Sequence, residues 1–221
     1  MKKDDIIYFM INKEKEFNDV VIEINEELKK KKEEILTSSE LFLILDASSS
    51  MKNYINNLTQ NVLYKAILKM GFKDKSTINL FEFSDTVEEI SFTLDKLQKH
   101  KIPCSGKRNL FDCLEIIAKT IISKPKKKYI LIFIFSGEIV DKDNVRIFAY
   151  KMIGLNTKIE IKSRIIKYIN KDSDFKSQED QITYGLIKQL NSGGIDSCKP
   201  LVINESDPIE KQIIEISGLI N

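Results

Sequence analysis

The sequence contains few of the residues that mark disulfide-bonded, zinc-binding or loosely linked proteins. Among its 221 residues are three cysteines, one histidine, four prolines and eight glycines. The widely spaced Cys104, Cys113 and Cys198 form neither a disulfide framework nor a zinc pattern, and they fit a reduced, intracellular location, cytoplasmic or nuclear. With His100 as the single histidine, there is no histidine pair for a metal and no obvious Ser-His-Asp set. The scarcity of proline and glycine gives no sign of a flexible linker.

The chain also lacks a strong charge of either sign and a long apolar run. It carries 35 basic and 33 acidic residues, for a net charge of +2, which gives no electrostatic case for a nucleic-acid or membrane surface. No apolar stretch approaches the roughly 18 residues that a membrane span needs, and the start, Met1–Asp5, lacks the apolar core of a signal peptide. We therefore expect neither a membrane nor a nucleic acid as partner.

Two uninterrupted apolar runs, Leu41–Leu45 and Tyr129–Phe135, predict the buried central strands of a parallel sheet. Amphipathic segments and shorter apolar segments alternate around them, which predicts a doubly wound α/β fold with helices on both faces of a mostly parallel sheet. Residues 87–92 are expected to form one antiparallel edge strand, and the alternation at 158–162 predicts a more exposed strand. The further predicted helices are 53–70, 109–122, 142–153, 178–190 and 208–219, and the further strands are 76–83, 158–169 and 200–203.

We expect two parts, a helical extension over residues 1–39 and the α/β domain over 40–221. Residues 4–36 show apolar positions at helical spacing and predict one long amphipathic helix. Its apolar face could pack on the domain or be presented to a partner.

A candidate site follows the first central strand directly. Asp46, Ser48 and Ser50 form an Asp-x-Ser-x-Ser pattern at the carboxyl end of that strand, where open α/β sheets place their ligand sites. Carboxylate and hydroxyl oxygens suit Mg²⁺, Mn²⁺ or Ca²⁺ better than zinc. The alternative is a serine-rich turn without a ligand, because Asp and Ser are common turn residues.

Four segments in order resemble the von Willebrand factor A family over residues 40–221. They are the strand with Asp46, Ser48 and Ser50, then Phe83-Ser84-Asp85, then Gly106–Leu114, and finally Phe135–Glu138. The resemblance implies the von Willebrand factor A fold and a metal-ion-dependent adhesion site. It also implies a platform for protein recognition, in which an acidic side chain of the partner can complete the coordination of the metal.

Two positions depart from the family pattern. Arg108 stands where the family has a threonine, and Ser136 stands where it has its second aspartate. The tentative metal ligands are then Asp46, Ser48, Ser50 and Ser136, and both changes should weaken binding of a cation.

Arg108 is one of only three arginines. It could form a planar bidentate pair with Asp46 and replace the cation, or it could point into solvent. In a third alternative, Asp85 or Glu138 supplies the missing carboxylate and Mg²⁺ or Mn²⁺ still binds.

We expect an intracellular protein-interaction module of von Willebrand factor A type, a scaffold in a multi-protein assembly and not an enzyme. It would bind its partner through the loops at the carboxyl end of the sheet, with metal binding weakened or lost. The alternatives are a working Mg²⁺- or Mn²⁺-dependent adhesion site and a HAD-like or other α/β hydrolase that uses Asp46. Ser48 argues against the hydrolase, because a second acid is expected at that position.

Outside the site, we expect His100 to be a loop or surface residue and Cys113 to be part of the core. The lysine-rich stretch at 124–128 is expected to be a solvated connection.

Overall fold

The structure is a computed structural model that describes residues 39–124, 128–137, 139–141, 143–145, 147, 161–169 and 201–218, with five positions near the N-terminus. The chain divides into two compact units, residues 1–38 and 39–221. In the first unit, positions 22, 26, 27, 29 and 30 are helical, and the rest of the predicted helix lies outside the described residues. No described helix has both the length and the apolar character needed to cross a membrane.

The second unit alternates strands and helices along the chain. The strands are β1 (Ser39–Asp46), β2 (Thr77–Phe83), β3 (Val87–Thr93), β4 (Lys128–Phe135), β5 (Ile161–Ile169) and β6 (Leu201–Asn204). The α-helices are α1 (Ile55–Asn57), α2 (Tyr64–Met70), α3 (Phe111–Ser123) and α4 (Ile209–Ser217), a π-helical segment (Leu58–Leu63) joins α1 to α2, and 3₁₀ turns cover Ser49–Met51 and Leu94–Lys96.

The six strands form one sheet in the order β3-β2-β1-β4-β5-β6. β1 is parallel to both of its neighbours, β2 and β4, and β3 is the single antiparallel strand, paired with β2 at one edge. This arrangement confirms the predicted mostly parallel α/β sheet with an antiparallel edge strand.

The two central strands are buried as their apolar runs predict. From Leu41 to Leu45 every side chain is fully buried, and Leu131 and Phe133 of β4 are equally inaccessible. One face of the sheet packs against α3 through a core that includes Cys113, so the expected core position of that cysteine is confirmed. Gly71 ends α2 with a φ of 111°, as its position after the apolar helix predicts.

The prediction of an exposed β5 is wrong for its described part. β5 lies inside the sheet between β4 and β6, and Ile161, Ser163, Ile165 and Ile166 are buried. The Lys/Ile alternation resembled that of a half-solvated strand, but Ile161 and Ile165 belong to the core that packs against α3. Residues 158–160, much of the predicted helix 142–153 and all of helix 178–190 lie outside the described residues.

Candidate functional site

The carboxylate at the end of β1 is fully buried and joins two loops. Oδ1 of Asp46 accepts a hydrogen bond from the backbone N–H of Ser48 (2.9 Å), and Oδ2 accepts one from the N–H of Ser136 (3.2 Å). Ser136 directly follows β4, so Asp46 ties together the loops after two neighbouring strands. Burial raises the pKa of the Asp46 carboxyl, while the hydrogen bonds from Ser48 and the charge of Arg108 oppose that rise.

Three hydroxyls form a chain beside this carboxylate. Oγ of Ser50 lies 3.1 Å from Oγ of Ser48 and 3.3 Å from Oγ of Ser136. Ser48 and Ser136 are buried and Ser50 is half-buried. The four side chains predicted as metal ligands are thus together, because β1 and β4 are parallel neighbours whose carboxyl ends meet at one edge. We call this edge, with the loops 46–51, 83–87, 103–109 and 136–141, the carboxyl edge.

Arg108 points into this cluster and not into solvent. Its Nη1 donates to Oγ of Ser50 at 2.6 Å and lies 3.9 Å from Oδ2 of Asp46, and its side chain is 12% exposed. The bidentate pair with Asp46 is therefore not formed. Each carboxylate oxygen of Asp46 accepts one backbone N–H group, and the hydroxyl of Ser50 is an acceptor for the guanidinium.

This arrangement does not fit a divalent cation. Such an ion needs about six oxygen ligands with charge compensation, whereas the cluster offers one carboxylate, whose two oxygens accept backbone hydrogen bonds, and three hydroxyls. The guanidinium of Arg108 donates to the central hydroxyl, so an ion coordinated there would lie close to a positive charge. Among the described residues, no three His, Cys, Asp or Glu side chains are grouped so that they could hold a metal.

Asp85 lies at a different point of the carboxyl edge. It is exposed, and its Oδ1 accepts the N–H of Lys107 at 3.0 Å. A Cβ placed on Gly106 would lie 2.0 Å from Oδ2 of Asp85. Asp85 therefore holds the loop that carries Arg108, and the structure shows no contact of Asp85 with the hydroxyl chain. Glu138 lies outside the described residues.

A glycine is required at position 106 because of its backbone conformation and because a side chain packs closely against it. Its φ is +69°, in the left-handed region, and its neighbour is the Asp85 carboxylate. We expect Gly106→Ala to lower the free energy of unfolding by about 1–3 kcal/mol, measured by denaturant titration. Gly218→Ala is the matched control, because its φ is −69° and nothing lies within 4 Å of the added Cβ. Equal effects of the two substitutions would contradict the close approach.

Asp141 is a site residue that the sequence did not single out. Its two carboxylate oxygens accept the N–H groups of Leu110 (3.0 Å) and Phe111 (2.7 Å) at the start of α3. Next to it, the N–H of Val140 donates to the carbonyl of Arg108 at 3.0 Å. The loop after β4 thus holds both α3 and the Arg108 backbone. The sequence predicted a helix start at Asn109, but the cap comes from a residue distant in the chain, for which there is no local signal.

Removing this cap should cost stability. We expect Asp141→Ala to lower the free energy of unfolding by about 1–2 kcal/mol, because two N–H groups at the helix start lose their acceptor. Asp141→Asn, which keeps one oxygen, should cost less. Thermal or denaturant unfolding measures both, and an Asp141→Ala protein of wild-type stability would show that water replaces the cap.

The architecture matches solved von Willebrand factor A structures. A von Willebrand factor type A protein from Catenulispora acidiphila aligns with a TM-score of 0.55 and 12% identity, over 83% of this chain and 43% of that one. Manganese-loaded TRAP protein from Plasmodium vivax aligns at 0.52 and 16% identity, over 83% of this chain and 73% of that one. Proximal thread matrix protein 1 from the mussel byssus, with a zinc-occupied adhesion-site motif, aligns at 0.53 and 12% identity, over 82% and 44%.

At these identities the likeness establishes the fold alone, and the chain spans less than half the length of two of these three proteins. No protein-family model and no curated protein matches the sequence. The sheet order, the antiparallel edge strand and the structural matches agree, and the chain has the von Willebrand factor A fold.

Proposed function

We propose that this chain is a protein-interaction module of von Willebrand factor A type that binds its partner at the carboxyl edge without a divalent cation. The observation that supports it is the Arg108 guanidinium, which donates to Ser50 and lies beside Asp46. On the resemblance to the family, this positive charge of the protein itself would take the place of the ion. The manganese- and zinc-loaded neighbours keep the metal-dependent alternative open to the same experiment.

The exposed lysine side chains at this edge suit an acidic partner. The three described carboxylates there, of Asp46, Asp85 and Asp141, all accept backbone N–H groups. The basic Lys52 and Lys107 are exposed beside them. The described charges at this edge are mixed, and the two exposed lysines can pair with Asp or Glu side chains of a partner segment.

An apolar contact is available next to this charge. Val140 is 56% exposed, and its N–H is bonded to the Arg108 carbonyl. A partner segment with an apolar residue beside its acid would use both features.

We further propose that the module is intracellular, belongs to a multi-protein assembly and is not an enzyme. Both oxygens of Asp46 accept backbone N–H groups, which leaves this carboxylate poorly placed to act as a nucleophile. Ser48 occupies the position where a hydrolase of the alternative kind would need its second acid.

Site-specific photo-crosslinking tests the proposal. A photoreactive phenylalanine derivative replaces Lys107 at the carboxyl edge or, as control, Lys69 in the last turn of α2, and the full chain is irradiated in its native cell extract with excess EDTA. We expect a defined crosslinked product from position 107 but not from position 69, and its loss in Arg108→Gln. A product that EDTA abolishes and Mg²⁺ restores would support the metal-dependent alternative, and equal products from both positions would contradict binding at the edge.

A further inference from the structure

A buried ion-pairing contact lies beneath the loop that carries Arg108. Glu82 in β2 has a side chain only 3% exposed, and its Oε1 is hydrogen-bonded to Nε2 of His100, whose side chain is 23% exposed. The His100 ring also packs on Phe92 of β3, with centroids 5.4 Å apart. His100 lies in a loop, as predicted, and its side chain is half-buried.

Burial and a neighbouring acid make a negative charge on Glu82 unfavourable. Burial raises the pKa of the Glu82 carboxyl, the hydrogen bond from His100 opposes the rise, and the charge of Glu88 adds to it. Glu88 lies directly opposite Glu82 in the β2–β3 register and is exposed. From β1, the register neighbour is the apolar Leu45. The exposed lysines at 99 and 101 flank His100 in the chain.

The other groups that face this loop are the Cys104 thiol and two side-chain amides, and the charges of Asp46 and Lys52 act on Cys104. Burial, with Asp46 and Glu82 nearby, raises the pKa of the Cys104 thiol to about 11. From the helix side, Gln60 Nε2 donates to the His100 carbonyl at 3.4 Å, and the Asn56 side chain accepts a backbone N–H of the same loop at 3.0 Å. Glu82 is therefore the group of this contact whose pKa burial raises.

The contact lies at the start of the segment that runs along the carboxyl edge. After His100, the N–H of Ser105 donates to the Ala47 carbonyl at 2.9 Å, and the N–H of Asn109 donates to the Ser84 carbonyl at 3.1 Å. Arg108 lies between these two bonds. A change at His100 thus bears on the same loop that positions the guanidinium.

We propose that the Glu82–His100 pair is a proton-dependent anchor of the 100–109 loop, which holds the loop in place when the pair keeps its proton and loosens it as the pH rises. This inference deepens the proposed function and rests on it for its effect on partner binding.

The direction follows from proton binding in the anchored and the released loop. With one shared proton the pair is neutral, whereas without it a buried carboxylate faces Glu88. Because burial raises the pKa of Glu82 in the anchored loop, that form holds the proton to higher pH than the released form. Anchoring is then fully present on the acid side and is lost as the pH rises through the raised pKa of Glu82.

Amide hydrogen exchange of the full chain, followed by NMR between about pH 5 and about pH 8, tests the anchor on both sides of neutral pH. We expect the protection of the Ser105 and Asn109 amides, corrected for intrinsic rates, to fall several-fold as the pH rises. In Glu82→Gln this dependence should vanish. Lys75→Gln, which removes the exposed ion pair with Asp95 ahead of the same loop, should behave as wild type.

Either of two results with these variants would contradict the anchor. A flat wild-type profile, or a Glu82→Gln protein with the wild-type dependence, overturns the anchor. If Glu82→Gln does not fold, His100→Gln replaces it, and unchanged Ser105 protection in that variant also overturns the anchor. The exchange experiment needs no partner, so its failure would overturn the anchor and leave the proposed binding function untouched. A partner that crosslinks away from position 107 would overturn the proposed binding function and leave the anchor untouched.

Discussion

The double substitution Arg108→Thr with Ser136→Asp is expected to bind Mg²⁺ more tightly than the wild-type chain does. These changes bring in the two residue types that the family has at these positions, and they remove the guanidinium that donates to Ser50. Two unit charges 4 Å apart interact by about 4 kcal/mol at an effective dielectric constant of 20, so removal of the guanidinium alone should strengthen cation binding by more than about tenfold. Calorimetric titration of Mg²⁺ and Mn²⁺ measures the difference.

Two further variants decide the reason for any binding. Arg108→Lys with Ser136→Asp keeps a positive charge and should bind the ion weakly, whereas adding Asp46→Ala to the double variant should abolish binding. Saturable binding of Mg²⁺ by the wild-type chain that Asp46→Ala removes would contradict the proposal and establish a working adhesion site.

Asp46→Ala in the wild-type background is expected to lower the free energy of unfolding by about 2–4 kcal/mol. The buried N–H groups of Ser48 and Ser136 would both lose their acceptor, and each buried unsatisfied group costs about 1–3 kcal/mol. Relief of the cost of burying the carboxylate offsets part of this loss. Denaturant unfolding with an unchanged m-value measures the effect.

Asp46→Asn is the matched control for this substitution. It keeps the size of the side chain and one oxygen acceptor, so it should keep a substantial part of the stability that the alanine variant loses. If the alanine and asparagine variants were both as stable as wild type, the carboxylate would not be holding the two loops together.

The sequence predicted those features of the fold that depend on burial and local pattern. The apolar runs of β1 and β4 predicted buried parallel strands, and the parallel arrangement predicted that Asp46 and Ser136 would meet. β5 was mistaken for an exposed strand because its alternation suggests a solvated face, whereas it lies inside the sheet and Ile161 and Ile165 belong to the core with α3. A strand's position in the sheet depends on distant pairings that a local pattern does not contain.

At the site, the sequence indicated which residues meet but not which bonds they form. The sequence left open whether Arg108 pairs with Asp46 or points into solvent, and the structure places it beside Asp46 with a hydrogen bond to Ser50. Asp141 and the Glu82–His100 pair were missed for a related reason. Each joins residues far apart in the chain, and neither belongs to a short motif.

The place of β1 in the sheet also has a consequence for the growing chain on the ribosome. β1 is made first, yet one of its two neighbours is β4, where Ser39 pairs with Lys128. At a synthesis rate of about 5–20 residues per second, β1 emerges several seconds before that partner exists. During this delay the apolar run Leu41–Leu45 has at most β2 to pair with, so one edge of β1 stays open to pairing with other chains until β4 is made.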